Sequence, residues 1–213
     1  MIIRDIMVTN IVSIPSTTSL YDARKIMDAH RIRRLPVIDK GKLVGVVTKS
    51  ALDRTGPSEL TTFSMHELGY LLGKITVEKA MRRDVVTVSP DMNIEKAVAL
   101  AQSKNVGALI VIEDERVVGV VTYQDIIYHI FNPILGIGMR GSRIVIRKCN
   151  KGPDIERVIR AINELKIGIT NLFIANLPEA GKQELIVHLD TEDSHTVINE
   201  VTKLGCTVEE VSR

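Results

Sequence analysis

The sequence is poor in the residues that several classes of binding protein depend on. Of 213 residues, 3% are aromatic, none is tryptophan and only two are cysteine. The formal net charge of +2 is too small for the strong field of a nucleic-acid-binding protein, and no recognition-helix pattern or set of stacking aromatics accompanies it. We therefore expect no nucleic-acid partner.

Long apolar runs are also missing. No run approaches the roughly 18 to 20 residues of a membrane span, and Arg4 and Asp5 interrupt the first apolar stretch. Cys149 and Cys206 lie far apart in the sequence and form no Cys-x-x-Cys pair, so the sequence implies neither a disulfide framework nor a zinc site. We expect a cytoplasmic protein, without membrane attachment, whose cysteines are reduced thiols.

The residues that are present indicate a folded chain. Hydrophobic residues make up 45% of the sequence and charged residues 25%, which is typical of a globular protein with a buried core. The length allows one or two ordinary domains.

An internal repeat is the most informative feature. The segment from Leu35 to Thr48, LPVIDKGKLVGVVT, returns without a gap as LIVIEDERVVGVVT from Leu109 to Thr122. The offset of 74 positions joins Gly45 to Gly119 and extends back to Met7 and Met81. A repeat of this size predicts two copies of one small unit that bury apolar faces against each other.

Each copy is predicted to form βαββα. In the first, a strand at 12–15 precedes an amphipathic helix from Leu20 to His30, and two apolar runs flank a turn that contains Gly41. The predicted boundaries are 1–53 and 77–130. The connecting segment 54–76 is predicted to hold a short packed helix, on the apolar residues Met65, Leu68, Leu71 and Leu72.

A different unit follows. Asn132, Pro133 and three glycines favour a linker at 131–141, and residues 142–213 are predicted to form βαββαβ. In such a sheet the first and last strands are antiparallel neighbours, so we expect Cys149 and Cys206 to lie close together. Gly136 to Gly141 matches Gly-x-Gly-x-x-Gly, but a strand follows it rather than a helix, so we interpret it as linker and not as a phosphate-binding loop.

These features together resemble a known family. The repeats resemble a tandem pair of CBS domains, the Bateman module, in their Leu-Pro-Val-Ile-Asp and Gly-Val-Val-Thr strands and in the Gly119–Asp125 motif. The tail resembles an ACT domain in element order, and with the linker segment Met65–Lys74 the chain is similar to AcuB-type CBS/ACT proteins. The resemblance implies an α/β (α+β) fold with a ferredoxin-like tail, and a non-catalytic sensor of adenine nucleotides.

The resemblance also implies a ribose site. In CBS proteins the aspartate of Gly-h-h-Thr-x-x-Asp, where h is apolar, accepts from both ribose hydroxyls. That role falls here on Asp125, with Thr122 and Gln124 beside it. The alternative is a helix cap, because Thr followed three residues later by an acid is close to a capping box.

The first repeat departs from this pattern, because Ala51 stands where the second has Asp125. It carries basic residues instead, and these are candidates for phosphate binding: Arg33, Arg34 and Lys49. A solvated charged face is the alternative. Three apolar residues are candidates for the adenine pocket: Val12, Ile32 and Pro36. We therefore expect one good nucleotide site per chain, for AMP, ADP or ATP as regulatory ligand, with no obligatory cofactor.

The ACT resemblance implies a second candidate ligand loop after the first strand of the tail, with Asn150, Gly152 and Asp154. The Gly152-Pro153 order departs from the usual position of that glycine, so a dimerising role is an equal alternative. The histidines have no partners at metal-ligand spacing, and we predict no metal site and no catalytic residues. The expected protein is a homodimer that signals to an unknown downstream protein. The alternative function is an amino-acid sensor with the CBS pair as scaffold.

Overall fold

The chain forms two compact units, Met1–Ile127 and Tyr128–Arg213. They are seen in a computed structural model, which describes residues 1–55, 73–149, 151–177 and 183–210. The predicted linker helix around Met65, Leu68, Leu71 and Leu72 lies outside the described residues.

The first repeat consists of helix α1 (Leu20–Ala29), the hairpin strands β1 (Arg34–Asp39) and β2 (Lys42–Thr48), and helix α2 (Lys49–Thr55). Helix α1 begins after Ser19, whose hydroxyl accepts a hydrogen bond from the Asp22 backbone N–H at 3.0 Å and caps the helix. The strand predicted at 12–15 is reduced to one parallel bridge between Ile14 and Val37.

The second repeat consists of strand β3 (Thr87–Val88), helix α3 (Ile94–Ser103), strands β4 (Ala108–Glu113) and β5 (Arg116–Thr122), and helix α4 (Tyr123–Ile126). Its hairpin has the same register as that of the first repeat, including a shift between Val111 and Ile112 that matches the one between Val37 and Ile38. The hairpin backbone is therefore the same in both repeats.

The segment that precedes each repeat's first helix pairs with the hairpin of the other repeat. Val8 pairs with Val120 of the second repeat, at N···O distances of 2.9 and 3.0 Å. Arg82, 74 positions after Val8, pairs in the same way with Val46 of the first repeat, at 2.9 Å in both directions. Each repeat thus completes the hairpin face of the other, which joins them into one unit.

The core of the first unit is apolar. In both repeats the buried side chains come from the inner face of the first helix and from the hairpin strands, as the periodicity predicts. Fully or almost fully buried examples are Leu20, Ala23, Met27, Leu35, Val37, Ala97, Leu109, Val111 and Val121.

The second unit starts inside the helical stretch that follows α4. A π-helical segment (Ile127–Phe131) leads into helix α5 (Asn132–Leu135), which ends at Gly136 in the left-handed conformation, φ 65°. The segment predicted as a linker therefore begins with a helical turn. Pro133 is compatible with that turn, because the first turn of a helix does not use its backbone N–H groups within the helix.

The rest of the second unit has the order strand, helix, strand, strand, helix, strand. Its elements are β6 (Ser142–Arg147), α6 (Gly152–Glu164), β7 (Ile169–Asn176), β8 (Gln183–Leu189), α7 (His195–Lys203) and β9 (Thr207–Glu210). The sheet order is β7-β8-β6-β9 with every neighbouring pair antiparallel. One sheet face packs on both helices through buried apolar residues such as Ile144, Val187 and Val201.

The cysteines correct one expectation. The pairing of β6 with β9 was predicted to bring Cys149 close to Cys206, and their Cα atoms are 5.5 Å apart. However, they form a disulfide rather than the predicted reduced thiols. The expectation was drawn from compartment, whereas the fold places both buried side chains within the Cα separation that a disulfide spans.

Within the described residues, no helix is both long and apolar enough to cross a bilayer.

Candidate functional site

The carboxylate of Asp125 is held at the start of α4. Its Oδ2 accepts hydrogen bonds from the Thr122 backbone N–H at 2.8 Å and from Thr122 Oγ1 at 2.7 Å. The Asp125 backbone N–H lies 3.4 Å from Thr122 Oγ1, which completes a capping box. Asp125 Oδ1 accepts no hydrogen bond from any residue that the structure describes. The capping interpretation is thus confirmed, and it occupies only one of the two carboxylate oxygens.

The same turn in the first repeat has half of this arrangement. Thr48 Oγ1 accepts from the Ala51 backbone N–H at 3.2 Å, as Thr122 does from Asp125. Ala51 has no carboxylate that could accept from the Thr48 backbone N–H. The end of β2 is therefore a helix start without the carboxylate acceptor of the second repeat.

A side chain of the first repeat crosses to the second at this end of the hairpins. The guanidinium of Arg34 lies against Gly107, so that a Cβ at position 107 would be 2.5 Å from Arg34 Nη2. The same Cβ would be 3.8 Å from Cδ2 of Tyr123. Gly107 directly precedes Ala108, whose backbone pairs with Thr122. Arg34 is thus brought to the neighbourhood of the Thr122–Asp125 turn.

The other two basic candidates are placed differently. Arg33 is exposed. Lys49 is committed to an ion pair with Asp28, at 2.6 Å, and its ammonium lowers the pKa of that carboxyl. Both side chains of the pair are well exposed, at 38% and 55%, so the pair itself contributes little stability.

The three apolar candidates belong to the first repeat. Val12 and Ile32 are half-buried and pack against its core, and Pro36 is buried in β1. Gln124 and Tyr123 lie on the exposed side of α4, next to Asp125.

The candidate loop of the second unit is shorter than predicted. Helix α6 begins at Gly152, so Gly152 and Asp154 belong to its first turn, and Asp154 accepts a hydrogen bond from Arg157 at 2.5 Å. Asn150 lies outside the described residues. A proline at the first turn again explains why the helix begins early.

The described residues contain no group of three or more His, Cys, Asp or Glu side chains that could hold a metal ion. His188, one of the scattered histidines, is a core residue at 1% exposure and stacks on Phe173.

Sequence reasoning missed Gly107. It stands at the position of Arg33 in the repeat alignment, and the loss of a side chain there was the available signal. The sequence could not reveal that the side chain of Arg34 packs against this glycine.

The fold and the two helix starts define a tandem-repeat module, and comparison with known proteins agrees. The CBS domain model matches residues 3–55 and 77–132, about half of the chain, and the protein therefore belongs to the CBS domain family.

Individual relatives share this module. A homoserine O-acetyltransferase from Methanohalobium evestigatum is 34% identical over 126 residues, which are 58% of this chain but only 23% of the enzyme. This chain therefore matches less than a quarter of that relative's length.

Two solved structures are similar to the chain. One is a Vibrio cholerae protein named as the acetoin utilization protein AcuB, with TM-score 0.52 and 25% identity, covering 62% of this chain and 91% of that one. The other is the CBS domain pair of protein MJ0100, solved with 5-methylthioadenosine and S-adenosyl-L-methionine. It has TM-score 0.51 and 28% identity, and covers 62% of this chain and 96% of that one.

Proposed function

We propose that the protein is a non-catalytic regulatory module that binds one adenine nucleotide per chain, in the cleft between its two repeats. The observation that carries the proposal is the Asp125 carboxylate. One oxygen accepts two hydrogen bonds from Thr122, and the other accepts none from the described residues.

A fixed, half-satisfied carboxylate suits a ribose. Its two neighbouring hydroxyls are donors, and charge-assisted hydrogen bonds to a carboxylate are stronger than neutral ones. Because Thr122 holds the carboxylate before the ligand arrives, little side-chain entropy is lost on binding. Gln124 is a further candidate contact on the same turn.

The remaining ligand parts are assigned by position. Arg34, with Arg33 as an outer neighbour, supplies positive charge for phosphates, whereas Lys49 contributes only if its pair with Asp28 opens. Val12, Ile32 and Pro36 are the proposed apolar contacts of the adenine. The MJ0100 pair supports an adenosine-type ligand, because it was solved with two such compounds.

A nucleotide that contacts both repeats can act as a switch. It favours whichever relative orientation of the repeats brings Arg34 and Asp125 to the same ligand, and so shifts the population of states. We propose that this shift is passed to a downstream protein in the cytoplasm.

A thermal-shift and calorimetry panel tests the proposal. A ligand at 100 times its dissociation constant stabilises the folded state by about 2.7 kcal/mol. We expect AMP, ADP or ATP to give such a shift and free amino acids to give none. A response to amino acids alone would support the alternative, a sensor that uses the second unit.

We propose that the second unit is ACT-like and serves assembly. Its βαββαβ order and the β7-β8-β6-β9 sheet support this assignment. Asp154 of the candidate ligand loop is already paired with Arg157, which favours assembly over amino-acid binding. Several large apolar side chains of this unit are at least 39% exposed: Phe131, Ile134, Leu135 and Ile137.

A homodimer would bury such a surface in a self-complementary interface. Light scattering should then give twice the 23.6 kDa chain mass at micromolar concentration. A monomer mass with and without nucleotide would contradict this part of the proposal.

A further inference from the structure

We propose that the disulfide between Cys149 and Cys206 is a redox switch that holds strand β9 on the edge of β6. A dithiol reductant breaks the bond and releases β9, and re-oxidation restores the pairing. The switch lies in the second unit and does not involve the proposed nucleotide site.

The position of the bond makes redox control specific to one strand. Cys149 and Cys206 are the only cysteines of the chain, and both are in the disulfide. Cys149 lies two residues after the end of β6, and Cys206 directly precedes β9. Any thiol–disulfide exchange of this protein therefore acts where the end of β6 meets the start of β9.

The other contacts of β9 are few. It has four residues, and in the described sheet it occupies an edge and pairs with β6 alone. Three of its residues are exposed, and the half-buried one, Val208, packs against the core. Segments with few buried apolar contacts open at low cost in free energy. We therefore expect the covalent bond to decide whether β9 stays paired.

The polar contacts of β9 add little to this. Glu209 lies 2.7 Å from Arg147, but the two side chains are 58% and 47% exposed, and such ion pairs contribute little stability. Glu210 accepts one hydrogen bond, from the buried hydroxyl of Ser194 at 2.5 Å. Neither contact matches a covalent link between the two strands.

Release of β9 would change the edge of the sheet. Ile144, Val145 and Ile146 of β6 are each at most 5% exposed, and β6 lies between β8 and β9. Without β9, β6 becomes the edge strand and exposes backbone N–H and C=O groups beside these apolar side chains. Such an edge is prone to pair with other strands, whereas β9 carries the charged residues Glu209 and Glu210 that discourage this pairing.

The bond is shielded and exchangeable. Cys149 and Cys206 are 4% and 5% exposed, so a reductant reaches a sulfur when the edge of the sheet opens. A thiolate of the reductant attacks one sulfur, the S–S bond breaks, and the other cysteine leaves as a thiolate that takes up a proton. The second thiol of the reductant then displaces the first cysteine. Both cysteines end as thiols, and the reductant ends as a disulfide.

Hydrogen exchange followed by mass spectrometry tests the switch on the full chain. The protein is oxidised in a glutathione buffer and then reduced with dithiothreitol, and alkylation counts the free thiols. We expect two free thiols after reduction and at least about tenfold faster exchange of the β9 amides, because a constraint on opening is lost. Amides of β4 and β5 in the first unit should exchange as before, and re-oxidation should restore the slow exchange of β9.

Two variants serve as controls. The double variant Cys149→Ala, Cys206→Ala should exchange like the reduced chain in both buffers, because it has no thiol to oxidise. Arg147→Ala keeps the disulfide and removes the ion pair with Glu209, and it should raise β9 exchange by about twofold or less. A larger increase in Arg147→Ala than in the double variant would assign the hold on β9 to the ion pair and overturn the proposal.

Four other results would also overturn it. Unchanged β9 exchange in a chain with two free thiols would mean that the bond does not hold the strand. Equal acceleration in β7 and β8 would mean that the bond stabilises the whole second unit rather than β9. An oxidised chain that dithiothreitol does not reduce would carry a permanent cross-link, and a chain that stays a dithiol in the oxidising buffer would have no switch.

Discussion

The two repeats share the same hairpin backbone but differ at the start of the helix that follows it. Thr48 and Thr122 occupy equivalent positions, and each hydroxyl accepts from the backbone N–H three residues later. Only the Thr122 backbone N–H also donates to a carboxylate, that of Asp125, because Ala51 stands at the equivalent position in the first repeat. The hydroxyl cap that both repeats share starts a helix. The carboxylate that only the second repeat has is the proposed ligand contact, so the comparison of the repeats separates a folding feature from a candidate binding feature.

The largest expected effect is that of Asp125→Ala. It removes the proposed ribose acceptor and should weaken nucleotide binding by about 1.5 to 3 kcal/mol. The free energy of unfolding of the first unit should fall by only about 1 kcal/mol, the contribution of a helix cap. Calorimetry and denaturant unfolding measure the two quantities separately.

Asp125→Asn is the matched control, because its amide oxygen can still accept from Thr122. Unchanged affinity in Asp125→Ala would leave the second repeat with a cap and no ligand role.

The next comparison is between the two buried glycines of the hairpins. A Cβ at Gly45 would be 2.7 Å from Met81 Sδ and 3.0 Å from the backbone oxygen of Arg82, whereas the three atoms nearest to a Cβ at Gly119 all belong to the Met7 side chain. A thioether can move aside and a backbone cannot. Gly45→Ala should therefore destabilise the first unit by about 1 to 3 kcal/mol, and Gly119→Ala by about 1 kcal/mol or less. Equal losses of unfolding free energy in the two variants would mean that the chain packed on Gly119 is as rigid as the chain packed on Gly45.

A smaller effect is expected at the hairpin turns. Gly41 has φ 79° and its equivalent Glu115 has φ 63°, a conformation that costs energy in any residue with a side chain. Glu115→Gly should raise the free energy of unfolding by about 0.5 to 1 kcal/mol, since its 3.8 Å pair with Lys42 is highly exposed. Gly41→Ala should change it in the opposite direction. A loss of stability in Glu115→Gly would show that the two turns are not equivalent.

The smallest effect concerns acid stability. Hydrogen bonds from Ser16, including its backbone N–H at 2.9 Å, hold the pKa of Asp39 below its usual 3.8. A lowered pKa in the folded state stabilises the fold above the usual value, and this stabilisation is lost as the pH falls below 3.8. Asp39→Asn should flatten the fall in stability below that pH. Asp114→Asn, at an exposed carboxylate in the turn of the other hairpin, is the control. The fall in stability with pH should stay steeper in this variant than in Asp39→Asn.

Much of this architecture could be predicted from the sequence. The repeat offset predicted both hairpins and the first helix of each repeat, because periodicity and turn residues are local properties. The pairing of each leading segment with the other repeat's hairpin could not be predicted, since Val8 and Val120 are far apart in sequence and nothing local selects between them. The closeness of Cys149 and Cys206 could be predicted from the strand order, but the inference of reduced thiols from the compartment was wrong.

The candidate site was predictable only in part. Ala51 and Asp125 could be compared by counting, and the structure bears out their difference in hydrogen bonding. The sequence could not show that the three basic candidates have different surroundings, because these depend on the fold. Arg33 is exposed to solvent, Arg34 lies against Gly107, and Lys49 pairs with Asp28.

The stoichiometry of nucleotide binding tests the central claim most directly. The second repeat carries the proposed ribose acceptor and the first the proposed phosphate-binding cation, so titration calorimetry with AMP, ADP and ATP should give one tight site per chain for at least one of them. Two equal sites per chain would contradict the claim that Ala51 and Ala108 leave the other side without a site. Full-affinity binding to Asp125→Ala would contradict the assignment of the site itself.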